Sequence, residues 1–431
     1  MPDVAKRFGH SERMRRNPMH IPFSIPRLAF AVSLFFACRA SAPPPEPEGS
    51  ATPPPTVDKA EFPKPLAILP TKLINGHTLF EGTLGGVALD IVFDTGMVEG
   101  ILVSESVAKA AGLKKLRDFS FGGIGHGAKT VGYITEPATL TFGDISLNSQ
   151  AIVFPEDSQL GKAFCGLQAV MGYTLYSRYL LRVRPQVETM ELYPNDANYH
   201  QPGEQLDLRL DTETRKLSTT VSVSLRGGRA EKRDMLIDTG NATEVILFEA
   251  APEQVSTIQR GGHGASGLHI KDVGRIESLS LGSTVFTKPI VAFDDTGKDG
   301  SGIHNLSNQI LTKFETVYDL KRKKLVLLRT DPNALPTSFI GNGILWKNSG
   351  CGETKEIARV FPHTVAARAG LETGDTLSSI EGESEIPKGF IGLLQSKQPV
   401  AAQFRRGQLS LDVVLSGEDR LGAQSNRRPM P

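Results

Sequence analysis

The chain has 431 residues, 39% of them hydrophobic and 22% charged, enough for two or three domains with buried cores. Its 48 basic and 47 acidic residues leave a formal net charge of +1. No basic surplus exists to grip nucleic acid, which is set aside as a partner. The three cysteines form no paired framework and show no metal-ligand spacing, so neither a metal nor a cofactor is expected.

Residues 1–38 read as an export signal. Arg13, Arg15, Arg16 and Arg27 precede an apolar stretch over 28–37, followed by Cys38. That stretch is too short to span a bilayer, which takes about 20 residues, but it fits the core of a signal sequence. Ala37-Cys38 resembles a lipoprotein cleavage site. Cys38 is therefore the candidate for lipidation, which would tie an envelope protein to a membrane; simple secretion is the alternative. Residues 39–65 contain Pro43-Pro44-Pro45 and Pro53-Pro54-Pro55 and read as an extended linker.

From residue 66 the pattern is β-rich, with short apolar runs bounded by turn residues. Two regions, 66–200 and 201–333, repeat one another. Asp94-Thr95-Gly96 follows Ile91-Val92-Phe93, and Asp238-Thr239-Gly240 follows Met235-Leu236-Ile237. Each triplet is followed by an apolar run, Ile101-Leu102-Val103 or Val245-Ile246-Leu247. A glycine-dense stretch comes next: Gly123, Gly125, His126 and Gly127 in the first copy, Gly262, His263 and Gly264 in the second. Leu140-Thr141-Phe142-Gly143 is then answered by Leu279-Ser280-Leu281-Gly282, and residues 179–193 by 314–328. Ordered correspondences of this kind mark an internal duplication. The first copy also predicts a helix capped by Ser104, striped by Val107, Ala108 and Ala111, and ended by Gly112. Pro252 shortens or breaks its counterpart.

One Asp-Thr-Gly is usually a turn. Two, placed alike in duplicated units, can bring two carboxyls together. Two carboxyls about 3 Å apart cannot both ionise, so one stays protonated while the other is charged. The charged one can take a proton from water as the neutral one donates to a carbonyl oxygen. Thr95 and Thr239 would hold the acids across the interface, and Gly96 and Gly240 would permit close backbone approach.

These residues resemble the retropepsin-like aspartic proteases, particularly bacterial aspartyl protease family proteins with a following PDZ domain. The resemblance implies a mainly β fold of two duplicated β-barrel lobes forming a pseudo-dimer. It implies hydrolysis of a peptide or protein substrate by Asp94 and Asp238, with the glycine-dense hairpins as flaps. Val170-Met171-Gly172 matches the family's later apolar-apolar-Gly signature. The second copy departs from it, reading Asn305-Leu306-Ser307-Asn308. Met97 and Asn241 follow the triplets where the family prefers Ala, Ser or Thr. These departures make a catalytically impaired, peptide-binding lipoprotein the alternative.

Residues 336–417 resemble a PDZ domain, most specifically in Ala366–Asp375, a short helix leading into a Gly-Leu-x-x-Gly-Asp turn. The resemblance implies a loop, Gly341, Asn342, Gly343, Ile344 and Leu345, whose backbone N–H groups receive a peptide C-terminus. The peptide would add as a strand beside Ile344–Trp346. A Pro-bounded linker suggests that this part folds by itself, and residues 418–431 read as a disordered tail.

Overall fold

The computed structural model describes residues 60–421 except 123–128, 164–166, 226, 265, 296–302, 332–334, 336–338, 348–354 and 388–389. The expected export signal, Cys38 and most of the expected linker lie outside the described residues. So do Gly123, Gly125, His126 and Gly127. The described chain is mainly β.

The duplication recurs as one strand order used twice. In the first copy the strand Val87–Phe93, which leads into Asp94, lies between the antiparallel His77–Leu84 and the parallel Ala169–Met171. Beyond these come Ile101–Ser104, Ala151–Phe154, and then a first hairpin made of Thr130–Thr135 and Lys115–Phe121. In the second copy Glu231–Asp238 lies between the antiparallel Leu217–Ser224 and the parallel His304–Ser307. Val245–Leu247, Ile290–Phe293 and a second hairpin, Gly267–Arg275 with Thr257–Gly264, follow in the same sequence. The apolar runs seen in the sequence are these inner strands, buried on both faces and so not alternating.

A six-stranded sheet joins the copies, in the order Glu204–Asp207, Lys324–Arg329, Phe314–Asp319, Tyr179–Arg184, Thr189–Pro194, Ala67–Ile74. At its centre the two copies pair antiparallel, Arg182 opposite Val317. On one face Arg182 and Arg184 each bridge Glu191 of the first copy and Glu315 of the second. Both glutamates are buried, and the Phe62 ring lies 4.2 Å from the Arg182 guanidinium.

The expected barrels do not close. Ala67–Ile74 pairs through residues 67–70 with the inter-copy sheet and through 71–74 with His77–Leu84. This strand carries the joining sheet on into the first copy, giving an open sheet where a barrel would need its edges to meet. One hydrophobic cluster, from Ala67 to Leu335, serves both copies.

The helix Glu105–Ala110 forms as its signals require: Ser104 accepts from the Val107 N–H, and Gly112 follows in left-handed conformation at φ +62°. The corresponding residues 248–256 carry no helix.

The C-terminal segment has its own core around Trp346, set edge-on to Phe390 and stacked on Phe404. Arg406 holds the buried Asp375 through two hydrogen bonds, fixing the turn that precedes Thr376–Ile380. The segment is nevertheless joined to the second copy. Leu421 and Phe339 enter a cluster with Ile246, Ile258, Val273 and Ile290. Arg420 donates to the Gln259 carbonyl at 3.0 Å, and Arg359 to its side chain at 3.3 Å. Residues 418–421 are therefore not a tail: Glu418–Asp419 pairs with Ile340–Gly341, and Leu421 is buried. The described residues belong to one compact unit.

Candidate functional site

Asp94 and Asp238 meet between the two copies because their triplets interlock. The Thr95 N–H donates to Thr239 Oγ1 at 2.9 Å, and the Thr239 N–H to Thr95 Oγ1 at 3.0 Å. Each hydroxyl then donates to the carbonyl preceding the opposite aspartate: Thr95 to Ile237 at 2.6 Å, Thr239 to Phe93 at 2.7 Å. Both threonines are buried, so each satisfies a backbone group that would otherwise lie unpaired between the strands. Beneath them the Tyr176 hydroxyl donates to the Arg215 carbonyl at 2.6 Å.

The glycines act as the sequence requires. The N–H of Gly96 donates to Asp94 Oδ1 at 2.7 Å, and that of Gly240 to Asp238 Oδ1 at 3.1 Å. A Cβ on Gly96 would stand 3.0 Å from a carboxylate oxygen of each aspartate, and one on Gly240 would overlap the Asp94 carboxyl. The two carboxyls are therefore adjacent. Burial, and then the charge of Asp238, push the Asp94 carboxyl up to about 8, against the opposing pull of the Gly96 N–H. One proton is thus retained at the pair through neutral pH.

The two sides differ in their second layer. Met97 packs into an apolar cluster with Leu79, Val92, Phe154 and Val170. On the other side Asn305 Nδ2 donates to Asp238 Oδ2, while Asn305 Oδ1 accepts from Asn241 Nδ2 at 2.9 Å. Ser307, the counterpart of Gly172, is fully buried, and its hydroxyl has no partner among the described residues.

Three residues near the pair were missed by the sequence reading. His77 follows the Asn75-Gly76 turn, whose tip reaches the other copy: the Gly76 carbonyl accepts from Asn308 Nδ2 at 2.7 Å. Burial lowers the His77 imidazole against the opposing charge of Asp238. Lys271, on the second hairpin, is brought down to about 8 by burial, with Asp294 opposing. Asn305 is the third, and in sequence it stands only in a stretch lacking the expected glycine.

The hairpins approach one another. A Cβ on Gly122, at the end of the first, would be 3.0 Å from Ser266 Oγ in the turn of the second. Gly262, His263 and Gly264 are rungs of that hairpin, opposite His269, Leu268 and Gly267, rather than its loop.

In the C-terminal segment the proposed carboxylate loop is largely committed to its own fold. The Ile344 N–H donates to Asn342 Oδ1 at 3.0 Å and is not free for a peptide carboxylate. The carbonyls of Asn342 and Gly343 accept from Ala366 and Phe361, and the Asn342 amide donates to Leu394. Gly341 pairs with Glu418, and the Leu345 side chain packs against Gly261 of the second hairpin. Ile344–Trp346 pairs with Ile357–Val360 along one edge; among the described residues no strand pairs with the other.

No protein-family model matches the chain, and no curated protein matches it.

Proposed function

We propose that the chain is an aspartic-type endopeptidase. The observation that carries this reading is the reciprocal lock of Thr95 and Thr239, which sets two carboxyls from duplicated strands side by side. A water bound between such acids loses a proton to the ionised one as it attacks a peptide carbonyl. The protonated acid donates to the carbonyl oxygen, and the resulting tetrahedral species collapses as the amine leaves with a proton. The hairpins that meet through Gly122 and Ser266 are suited to hold an extended peptide over the pair and to limit water. Export and a lipid anchor at Cys38 would place this activity in the cell envelope.

The test is incubation of the purified chain with a peptide library across pH, beside Asp94→Asn. Cleavage by the wild type and none by the variant is expected. Equal cleavage by both would remove the reading.

A further inference from the structure

We propose that Asn305 is a positioning residue that keeps the negative charge of the pair on Asp238 and leaves the proton on Asp94. This rests on the hydrolase reading only for its catalytic consequence: Asp238 becomes the base toward water and Asp94 the acid toward the carbonyl.

His304–Ser307 runs parallel to Glu231–Asp238 and sets Asn305 opposite Leu236, where it is almost wholly buried. The same place in the first copy is Val170, opposite Val92. An asparagine there has two donors and an acceptor to satisfy, and a valine has none. Asn305 meets the demand by turning its nitrogen to Asp238 Oδ2 and its oxygen to Asn241.

Asn241 fixes that orientation. Its nitrogen also donates to the Glu244 carbonyl at 3.0 Å, so its oxygen must face the other way, where it accepts from the Thr243 N–H and hydroxyl. Only nitrogen is then left to point at Asn305, and only the Asn305 nitrogen at the carboxyl. Asp238 accordingly accepts on both oxygens, from Gly240 and from Asn305. Asp94 accepts one N–H, from Gly96, and its side of the site is lined by Met97 and Val170. Donors to a carboxylate favour its ionised form, so the charge settles where there are more of them.

The other titratable groups facing the pair are His77 and Tyr176 from the first copy, Lys271 from the second hairpin, and Lys216 preceding Leu217–Ser224. Among the described residues none of the four hydrogen-bonds to either carboxyl, the Tyr176 hydroxyl donating to backbone carbonyls instead. They set the field around the pair, whereas Asn305 distinguishes its members.

The experiment follows the aspartate carboxyl carbons of the full chain by NMR across pH. Asp94→Asn and Asp238→Asn provide the assignment, and the wild type is compared with Asn305→Val, the residue found at that place in the first copy. Asn305→Ser, too short to reach Asp238, serves if the valine variant does not fold. In the wild type Asp238 should show the ionised signal while Asp94 remains protonated; in the variant that order should be lost or reversed. An unchanged order in a folded variant would overturn the proposal. Peptide cleavage is read separately. If the wild type cleaves, Asn305→Val should lose roughly tenfold or more in kcat/KM, mostly in kcat, with the acidic limb of its profile moved to higher pH. If the wild type cleaves nothing while the order of the carboxyls is as stated, the hydrolase reading falls and the role of Asn305 stands.

Discussion

Thr95 and Thr239 hold each other by the same bond made twice, backbone N–H to side-chain oxygen, at 2.9 and 3.0 Å. Neither copy of the unit can make this bond alone, so the carboxyls are placed by the association of the copies.

Thr95→Val should therefore injure both copies. It leaves the buried Thr239 N–H without an acceptor, at a cost of about 1–3 kcal/mol for a buried unsatisfied group. Urea denaturation should show that loss, and cleavage should fall with it because the carboxyls are no longer held in register. Thr95→Ser keeps the oxygen and should retain most of both. A fully stable, fully active valine variant would mean that the lock does not position the acids.

Asp94→Asn and Asp238→Asn should each abolish hydrolysis, and the double variant should be little worse than either, since the acids act as a unit. Activity should fall as pH rises past about 8, where Asp94 gives up its proton. Stability carries its own signature. A carboxyl raised in the folded state holds a proton that the unfolded chain has already lost, so stability declines from the ordinary carboxylate range up to about 8 and levels off above. Asp94→Asn abolishes that decline. Its melting temperature should exceed that of the wild type by a margin that widens over the same window; a constant margin would contradict the shift.

The C-terminal segment is expected to be inseparable from the rest. Truncation at residue 336 would uncover Ile246, Ile258, Val273 and Ile290, and the product should aggregate or melt earlier. The milder Leu421→Ala should cost about 2–4 kcal/mol by thermal or urea unfolding. A truncated chain as stable as the whole would show the interface to be incidental.

Cys38→Ser tests the anchor. If the cysteine is acylated, the wild type should sediment with membranes and the variant should be released. A wild type that is already soluble after export would refute lipidation.

Much of the fold was legible because it was written twice. Residues 179–193 and 314–328 matched in sequence, and their strands Tyr179–Arg184 and Phe314–Asp319 pair at the centre of the joining sheet. The helix after Ser104 had a cap, a stripe and a terminating glycine, all local signals. What escaped depended on distance along the chain. Asn305 reaches Asp238 only through a parallel pairing of strands 67 residues apart. His77 sits beside a turn whose tip crosses to the other copy, and nothing near it in sequence says so. Residues 418–421 read as a tail because three of the four are charged; their anchoring comes from Arg420 lying on Phe339 and Phe361, and from Leu421. Barrel closure was misjudged for a similar reason. Ala67–Ile74 has the pattern of an ordinary strand, and no residue in it announces that its two ends pair with different neighbours.

The contrast between Val170 and Asn305 is one that a dimer of identical chains could not hold. Such a dimer must present the same residue at both symmetry-related places, so any substitution is felt twice. Two asparagines would stabilise charge on both acids, and two valines on neither. With both copies in one polypeptide, one half can mutate while the other stays as it was. The site then has a fixed left and right, and on the hydrolase reading a peptide would meet unlike chemistry according to the direction in which its backbone runs.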